Sequence, residues 1–236
     1  MGHTRPVVMI TGAGRGIGRA TALAFAAAEY TVVLAELRRT LGRRAERMLR
    51  REGATAQFLQ TDVARGASVA RATRAVLRRF GRLDCVVNNA GVLEVGSLVD
   101  LPVTHMDRML SVNLRGPLLV TRAVLPALLR RGAGSIINVA SQLGKYGAAE
   151  YATYCATKFG VVGFTQALAA ELAGTGVRTW AVCPGLVDTA MARRAVGVGP
   201  HERAALLRPE AVARVIVDLA TGRRRVASGA AVDVGR

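Results

Sequence analysis

Short apolar, β-branched blocks alternate with longer stretches of helical period along the whole chain, and this alternation restricts the fold more than any other feature. The blocks run over Pro6–Thr11, Thr31–Ala35, Thr55–Thr61, Asp84–Asn88, Ser135–Ala140, Val177–Cys183 and Ala230–Val234. Each has the length and composition of a strand buried on both faces, and Ala/Leu/Arg stretches of helical period fill the intervals. Parallel strands need crossover connections, and helical crossovers cover both faces of the sheet. The pattern therefore predicts an α/β fold, a doubly wound three-layer sandwich around a mainly parallel seven-stranded sheet. With no Pro/Ser-rich linker and no internal repeat, residues 1–236 are expected to form a single domain. The segment about 190–208 is short. Within it Arg193–Leu207 gathers Gly197, Gly199 and Pro200, and reads either as a flap over a site or as an ordinary surface loop.

Composition excludes several classes. No stretch offers the roughly 20 uninterrupted apolar residues of a membrane span. The start, Met1-Gly2-His3-Thr4-Arg5, runs into a strand-like block and not into an apolar signal core, so a cytoplasmic location is expected. Cys85, Cys155 and Cys183 are an odd number at wide spacing and read as reduced thiols. His3, His105 and His201 show no metal-ligand spacing, so no metal site is expected. The net charge of +17 is carried mostly by arginines dispersed over helical segments, among them Arg43-Arg44, Arg50-Arg51 and Arg78-Arg79. Without aromatic interleaving or a finger or helix-turn-helix pattern, they do not predict a specific nucleic-acid interface.

After the first strand comes Thr11-Gly12-Ala13-Gly14-Arg15-Gly16-Ile17-Gly18, then the helix-forming run Arg19–Ala28. Glycines between a strand and a helix bring backbone N–H groups and the helix N-terminus up to a pyrophosphate, which marks Gly12, Gly14, Arg15, Gly16, Ile17 and Gly18 as a dinucleotide site. Glu36 ends the second strand, where a carboxylate can accept bonds from the adenosine ribose and would repel a 2′-phosphate. NAD is accordingly expected over NADP. Arg15 and Arg38 argue the other way, since a guanidinium matches phosphate bidentately.

These residues, with Asn88-Asn89-Ala90-Gly91 after the fourth strand, Ser141, Tyr154-Cys155-Ala156-Thr157-Lys158 and Pro184-Gly185, resemble the compact branch of the short-chain dehydrogenase/reductases over nearly the whole chain. The resemblance implies a Rossmann-type oxidoreductase that moves hydride between a nicotinamide cofactor and a hydroxyl or carbonyl compound. The residues support the same chemistry. Tyr154 and Lys158 lie four apart in the helical run Tyr154–Ala173 and share a face. Bringing a tyrosine from a pKa near ~10 into the working range asks roughly 3–4 kcal/mol, expected from Lys158 and a cationic nicotinamide. The rivals Tyr146 and Tyr151 are followed four residues later by Glu150 and Cys155 and lack a lysine. Ser141 ends the fifth strand at the carboxyl edge of the sheet, where its hydroxyl can hold the reacting oxygen.

By resemblance, Asn113 is the fourth catalytic member and holds a water in a proton relay from Lys158. Also by resemblance, Lys158 fixes the nicotinamide ribose beside Tyr154, and Asp62 and Val63 contact the adenine. Asn89, Ala90 and Gly91 then line the cofactor cleft, and Pro184, Gly185, Val187 and Thr189 hold the carboxamide end. Family likeness further implies a homo-oligomer, dimer or tetramer, formed through the long helices near Met106–Arg131 and Tyr154–Ala173. Glu at position 36 in place of Asp, and the short segment after Thr189, depart from the commonest pattern. The pocket candidates Gln142, Leu143, Ala148, Glu150, Tyr151 and Leu186 mix polar and apolar groups and select no substrate. Two other readings stay open at this stage: a catalytically idle dinucleotide-binding regulator of the same fold, and a basic nucleic-acid-binding protein.

Overall fold

The computed structural model describes residues 5–196 and 206–235. Seven strands, β1 (Val7–Thr11), β2 (Thr31–Glu36), β3 (Ala56–Gln60), β4 (Cys85–Asn88), β5 (Gly134–Val139), β6 (Val177–Pro184) and β7 (Ala231–Val234), form one sheet in the order 3-2-1-4-5-6-7. Every pairing is parallel. Each strand end lies within one residue of the expectation, because β-branched runs bounded by polar or glycine residues leave little freedom in where a buried strand stops.

The helices are α1 (Gly16–Ala27), α2 (Arg39–Arg51), α3 (Gly66–Phe80), α4 (Val103–Met109), α5 (Gly116–Arg131), α6 (Ala152–Glu171), α7 (Ala190–Val196) and α8 (Pro209–Ala220). The two larger apolar clusters lie one on each face of the sheet, with a smaller one of Ala140, Val161, Ala181 and Cys183. Ala22 and Phe25 of α1, Leu49 of α2 and Ile216 of α8 pack against Val8, Ile10, Val32 and Leu34. On the other face Val69 and Val76 of α3, Val124 and Leu128 of α5 and Leu168 of α6 pack against Val7, Met9, Val33 and Val86. Alternate residues of β1 and β2 thus feed opposite layers, which is why these strands are apolar without interruption. The three cysteines are free and buried.

The helix expected over Met106–Arg131 begins earlier, at Val103, and is not regular. A π-helical turn, Leu110–Arg115, joins α4 to α5 and turns Asn113 into the interior, where it is 1 % exposed. Such turns collect at functional sites because the extra residue redirects a side chain. By length and composition Val103–Arg131 could also cross a bilayer, but it is interrupted by Arg115 and Arg122 and buries Val120, Val124 and Leu128 in the core.

The chain leaves β1 toward β2 on one side and returns to β4 on the other. A crevice therefore opens beyond the carboxyl ends of β1 and β4, where open α/β sheets bind ligands.

Candidate active site

The glycine loop forms the floor of this crevice. Gly12 has φ +63°, and a Cβ there would lie 2.9 Å from the Ala90 Cα. A Cβ on Gly18 would meet the Gly12 carbonyl oxygen at 2.3 Å. The loop is tied to the end of β4 by Asn89, whose Nδ2 donates to the carbonyls of Thr11 (2.9 Å) and Gly12 (3.2 Å). In return the Thr11 hydroxyl accepts from the amides of Asn89 and Ala90, both at 3.0 Å. The sequence marks Thr11 as the start of the glycine motif without assigning its hydroxyl a partner, and that hydroxyl joins two loops. No side chain caps α1 and no acid lies in its first turn, so its N-terminal amides face the crevice without an internal acceptor from a side chain. An uncapped twelve-residue helix behind a loop packed this closely fits a pyrophosphate.

Glu36 is 7 % exposed, and its carboxylate accepts from the amides of Gly14 and Arg38, each at 3.0 Å. It fixes the glycine loop from below and keeps a negative charge beside it. Burial, then Arg38 and Arg194, hold the Arg15 guanidinium below its ordinary pKa, with Glu36 opposing them. At the end of β3, Asp62 closes a turn by accepting from the Ala64 amide (3.0 Å), while Val63 is buried against Gly116 at the start of α5.

Ser141, Tyr154, Lys158 and Asn113 come from three segments, the end of β5, the start of α6 and the π-helical turn. Ser141 follows β5 in extended conformation and caps a short 3₁₀ turn, Gln142–Gly144, by accepting from the Leu143 amide at 3.1 Å. Its hydroxyl also hydrogen-bonds Tyr154. Tyr154 is half-buried on the first turn of α6, whose start at Ala152 precedes the expected Tyr154. One turn further, the Lys158 ammonium donates to the Val139 carbonyl at 2.8 Å and lies 5.6 Å from the centre of the Tyr154 ring.

Lys158 does not figure among the protein groups that move the Tyr154 pKa. Burial dominates both groups: it pushes Tyr154 up to about 12 against the Ser141 hydrogen bond, and Lys158 down to about 8. The physical reason is desolvation, which disfavours the charged form of each group, while the Lys158 ammonium is held on the Val139 main-chain carbonyl. Asn113 is likewise occupied. Its Oδ1 accepts from the Val92 amide and its Nδ2 donates to the Val92 carbonyl, both at 2.8 Å, with a longer contact to Thr157 Oγ1 at 3.4 Å. It pins the chain just past Asn89–Gly91, and a Cβ on Gly91 would stand 3.5 Å from Asn113 Oδ1.

The Pro184–Thr189 turn closes the far side. The Gly185 amide donates to the Val234 carbonyl (3.1 Å), Val187 forms a bridge with Leu207, and Thr189 caps α7 by accepting from the Ala192 amide (3.2 Å). A Cβ on Gly16 would lie 3.2 Å from the Thr189 methyl group, so this turn rests on the glycine loop. Of the segment read as flap or loop, residues 197–205, including Gly197, Gly199, Pro200 and His201, lie outside the described residues, as does His3.

Tyr146 donates to Gln142 Oε1 (3.3 Å) at the exposed mouth of the cleft, while burial and Glu150 raise the pKa of Tyr151. A separate cavity of about 610 Å³, lined by Leu59, Gln60, Arg65, Ser68, Arg71 and Ala72, opens between β3 and α3 and holds no part of this constellation.

A doubly wound parallel sheet with a glycine-rich first turn at its switch point defines a dinucleotide-binding α/β protein. The match to the short chain dehydrogenase family model, over residues 6–196, shows that the chain belongs to that oxidoreductase family. It is 35 % identical over 240 residues to 2-(S)-hydroxypropyl-CoM dehydrogenase 3 of Xanthobacter autotrophicus, covering 97 % of this chain and 94 % of the relative. It is 33 % identical over 238 residues to the 3-oxoacyl-[acyl-carrier-protein] reductase of Thermotoga maritima, covering 97 % and 95 %. Among solved structures, a 3-ketoacyl-(acyl-carrier-protein) reductase from Brucella melitensis complexed with NADH superimposes with a TM-score of 0.88 at 31 % identity, covering 97 % of this chain and 96 % of that one.

Proposed function

We propose that the protein is an NAD(P)-dependent alcohol dehydrogenase or carbonyl reductase that uses Tyr154 as its acid/base, with Ser141, Lys158 and Asn113 in support. The observation that carries this reading is the convergence of Ser141, Tyr154 and Lys158 from β5 and α6 beside a glycine loop whose helix is left uncapped.

The nicotinamide, when bound, supplies or accepts the hydride. Gly12–Gly18 would hold the pyrophosphate, Glu36 the adenosine ribose, and Asp62 and Val63 the adenine. Asn89, Ala90 and Gly91 would line the cleft, while Pro184, Gly185, Val187 and Thr189 would hold the carboxamide end. With its pKa near 12, Tyr154 is a phenol at neutral pH, the form that gives a proton to a carbonyl oxygen as that oxygen becomes a hydroxyl. In the opposite direction the phenolate takes the proton back. Ser141 fixes the same oxygen by a second hydrogen bond. Lys158, anchored on Val139, supplies positive charge beneath the ring and would bond the nicotinamide ribose; Asn113 keeps the loop past Gly91 in place.

NAD is the preferred cofactor on this reading, because the buried Glu36 carboxylate beside Gly14 would repel a 2′-phosphate. Arg15, Arg38 and Arg194 favour the phosphate, and titrating the protein with NADH and NADPH by calorimetry decides between them. Exposed Leu118 and Leu129 on α5 and Phe159 on α6 support assembly as a homo-oligomer, for which a monomeric sedimentation profile at micromolar concentration would be contrary evidence. A cytoplasmic location is part of the same proposal.

The test of mechanism is Tyr154→Phe, which removes the proton and keeps the ring. A loss of kcat/KM on the order of 10²–10⁴ with NADH binding retained is expected. Undiminished turnover would remove Tyr154 from the mechanism.

A further inference from the structure

The cavity between β3 and α3 is built from groups that the proposed mechanism does not use. Its volume of about 610 Å³ falls within the range of small-molecule sites. Leu59 of β3 and Ala72 and Ala75 of α3 give it an apolar wall, while Arg65, Ser68 and Arg71 supply the charges and the hydroxyl that line it. No acid lines it, and Asp62 is the one carboxylate between residues 53 and 83. That carboxylate is turned to the Ala64 amide, at 3.0 Å.

Both guanidinium groups lack a counter-ion. The Arg65 side chain makes no hydrogen bond or ion pair with any described residue, and Arg71 makes one contact, from Nη2 to the Ser68 hydroxyl oxygen at 3.4 Å. Unpaired surface arginines are common on so basic a chain; these two differ in sharing one concave wall with a buried donor. Ser68 is 7 % exposed, and its oxygen also accepts from the Asp62 amide at 3.0 Å. Its hydroxyl hydrogen has no acceptor among the described residues. A buried donor left in this way is costly unless an acceptor comes from outside the chain. The fifteen-residue α3 starts beside it at Gly66 with neither a side-chain cap nor an acid in its first turn, so its dipole adds to the positive field.

We infer that this cavity is a second binding site, for a small phosphate monoester that carries an apolar group. A phosphate monoester is close to doubly ionised at neutral pH, so two guanidinium forks match its charge, and its oxygens accept from Arg65, Arg71 and Ser68. The apolar group lies on Leu59, Ala72 and Ala75. A carboxylate matches one guanidinium and leaves the other without a partner, so it binds more weakly. The site stands apart from the crevice beyond β1 and β4, and it does not depend on the hydride-transfer reading.

Calorimetric titration of the full chain with phenyl phosphate, inorganic phosphate and benzoate tests this, in the presence of NADH so that the glycine loop is filled. Phenyl phosphate should occupy a single site and bind roughly tenfold more tightly than either other probe. Arg65→Gln and Arg71→Gln, exposed positions that keep most of their length and lose their charge, should each weaken it about tenfold. Arg78→Gln removes an equal charge from α3 outside the cavity and should change the affinity by less than about twofold. No binding of phenyl phosphate at millimolar concentration, an affinity unchanged in both cavity variants, or an equal loss in Arg78→Gln overturns the inference. Benzoate binding as tightly as phenyl phosphate overturns the choice of phosphate, and inorganic phosphate doing so overturns the role of the apolar wall. Failure to bind NADH would instead count against the hydride-transfer reading, and the cavity variants would still decide this one.

Discussion

Replacing Lys158 by methionine should stabilise the protein at neutral pH while abolishing its activity. Lys158 is 5 % exposed, and burial lowers its pKa from 10.5 to about 8. The folded chain therefore holds this proton less tightly than the unfolded chain does. At 1.36 kcal/mol per pH unit, the charged ammonium costs about 3 kcal/mol of folding stability at pH 7. Methionine removes that cost and forfeits the 2.8 Å bond to the Val139 carbonyl, worth about 1.5 kcal/mol for a charged donor. The net gain is about 1–2 kcal/mol, or roughly 4 °C in Tm for a chain of this length. Between pH 8 and 10.5 the unfolded lysine keeps its proton and the folded one does not, so wild-type stability rises with pH. At pH 9.5 the advantage of the variant should have fallen by about 2 kcal/mol and vanished. Thermal unfolding of both proteins at pH 7 and 9.5 provides the measurement. A variant less stable than wild type at pH 7, or a difference that does not change with pH, would refute the reasoning.

Three further outcomes are expected. Gly18→Ala places a methyl group 2.3 Å from the Gly12 carbonyl oxygen and 2.5 Å from Asn89 Nδ2; it should cost about 1–3 kcal/mol in urea unfolding and weaken NADH binding. Gly163→Ala, in α6 with nothing within 4 Å of the added carbon, should instead gain about 0.5–1 kcal/mol by the same assay. Asp84 accepts from the Val7 amide at 2.8 Å and pairs with Arg82 and Arg131 at 2.6 and 2.9 Å, so Asp84→Ala leaves an amide and two guanidinium groups behind and should cost about 3–5 kcal/mol.

Periodicity and punctuation sufficed for the sheet. A strand buried on both faces must be apolar throughout, and a parallel neighbour must be reached through a helix, so Val7–Thr11, Cys85–Asn88 and the others were legible before any contact was known. The glycine loop and the spacing of Tyr154 and Lys158 were legible for the same reason, since each is a local constraint expressed within a few residues. Three features belonged to the tertiary structure alone. The π-turn that buries Asn113 and commits its amide to Val92 leaves no periodic signal, because the extra residue is accommodated only when α4–α5 packs under the sheet. The Thr11 hydroxyl joins loops nearly eighty residues apart, and nothing near position 11 announces that partner. Last, the sequence places a lysine one turn from a tyrosine, but burial dominates their proton affinities, because desolvation depends on everything packed around a group and not on its neighbours in the chain.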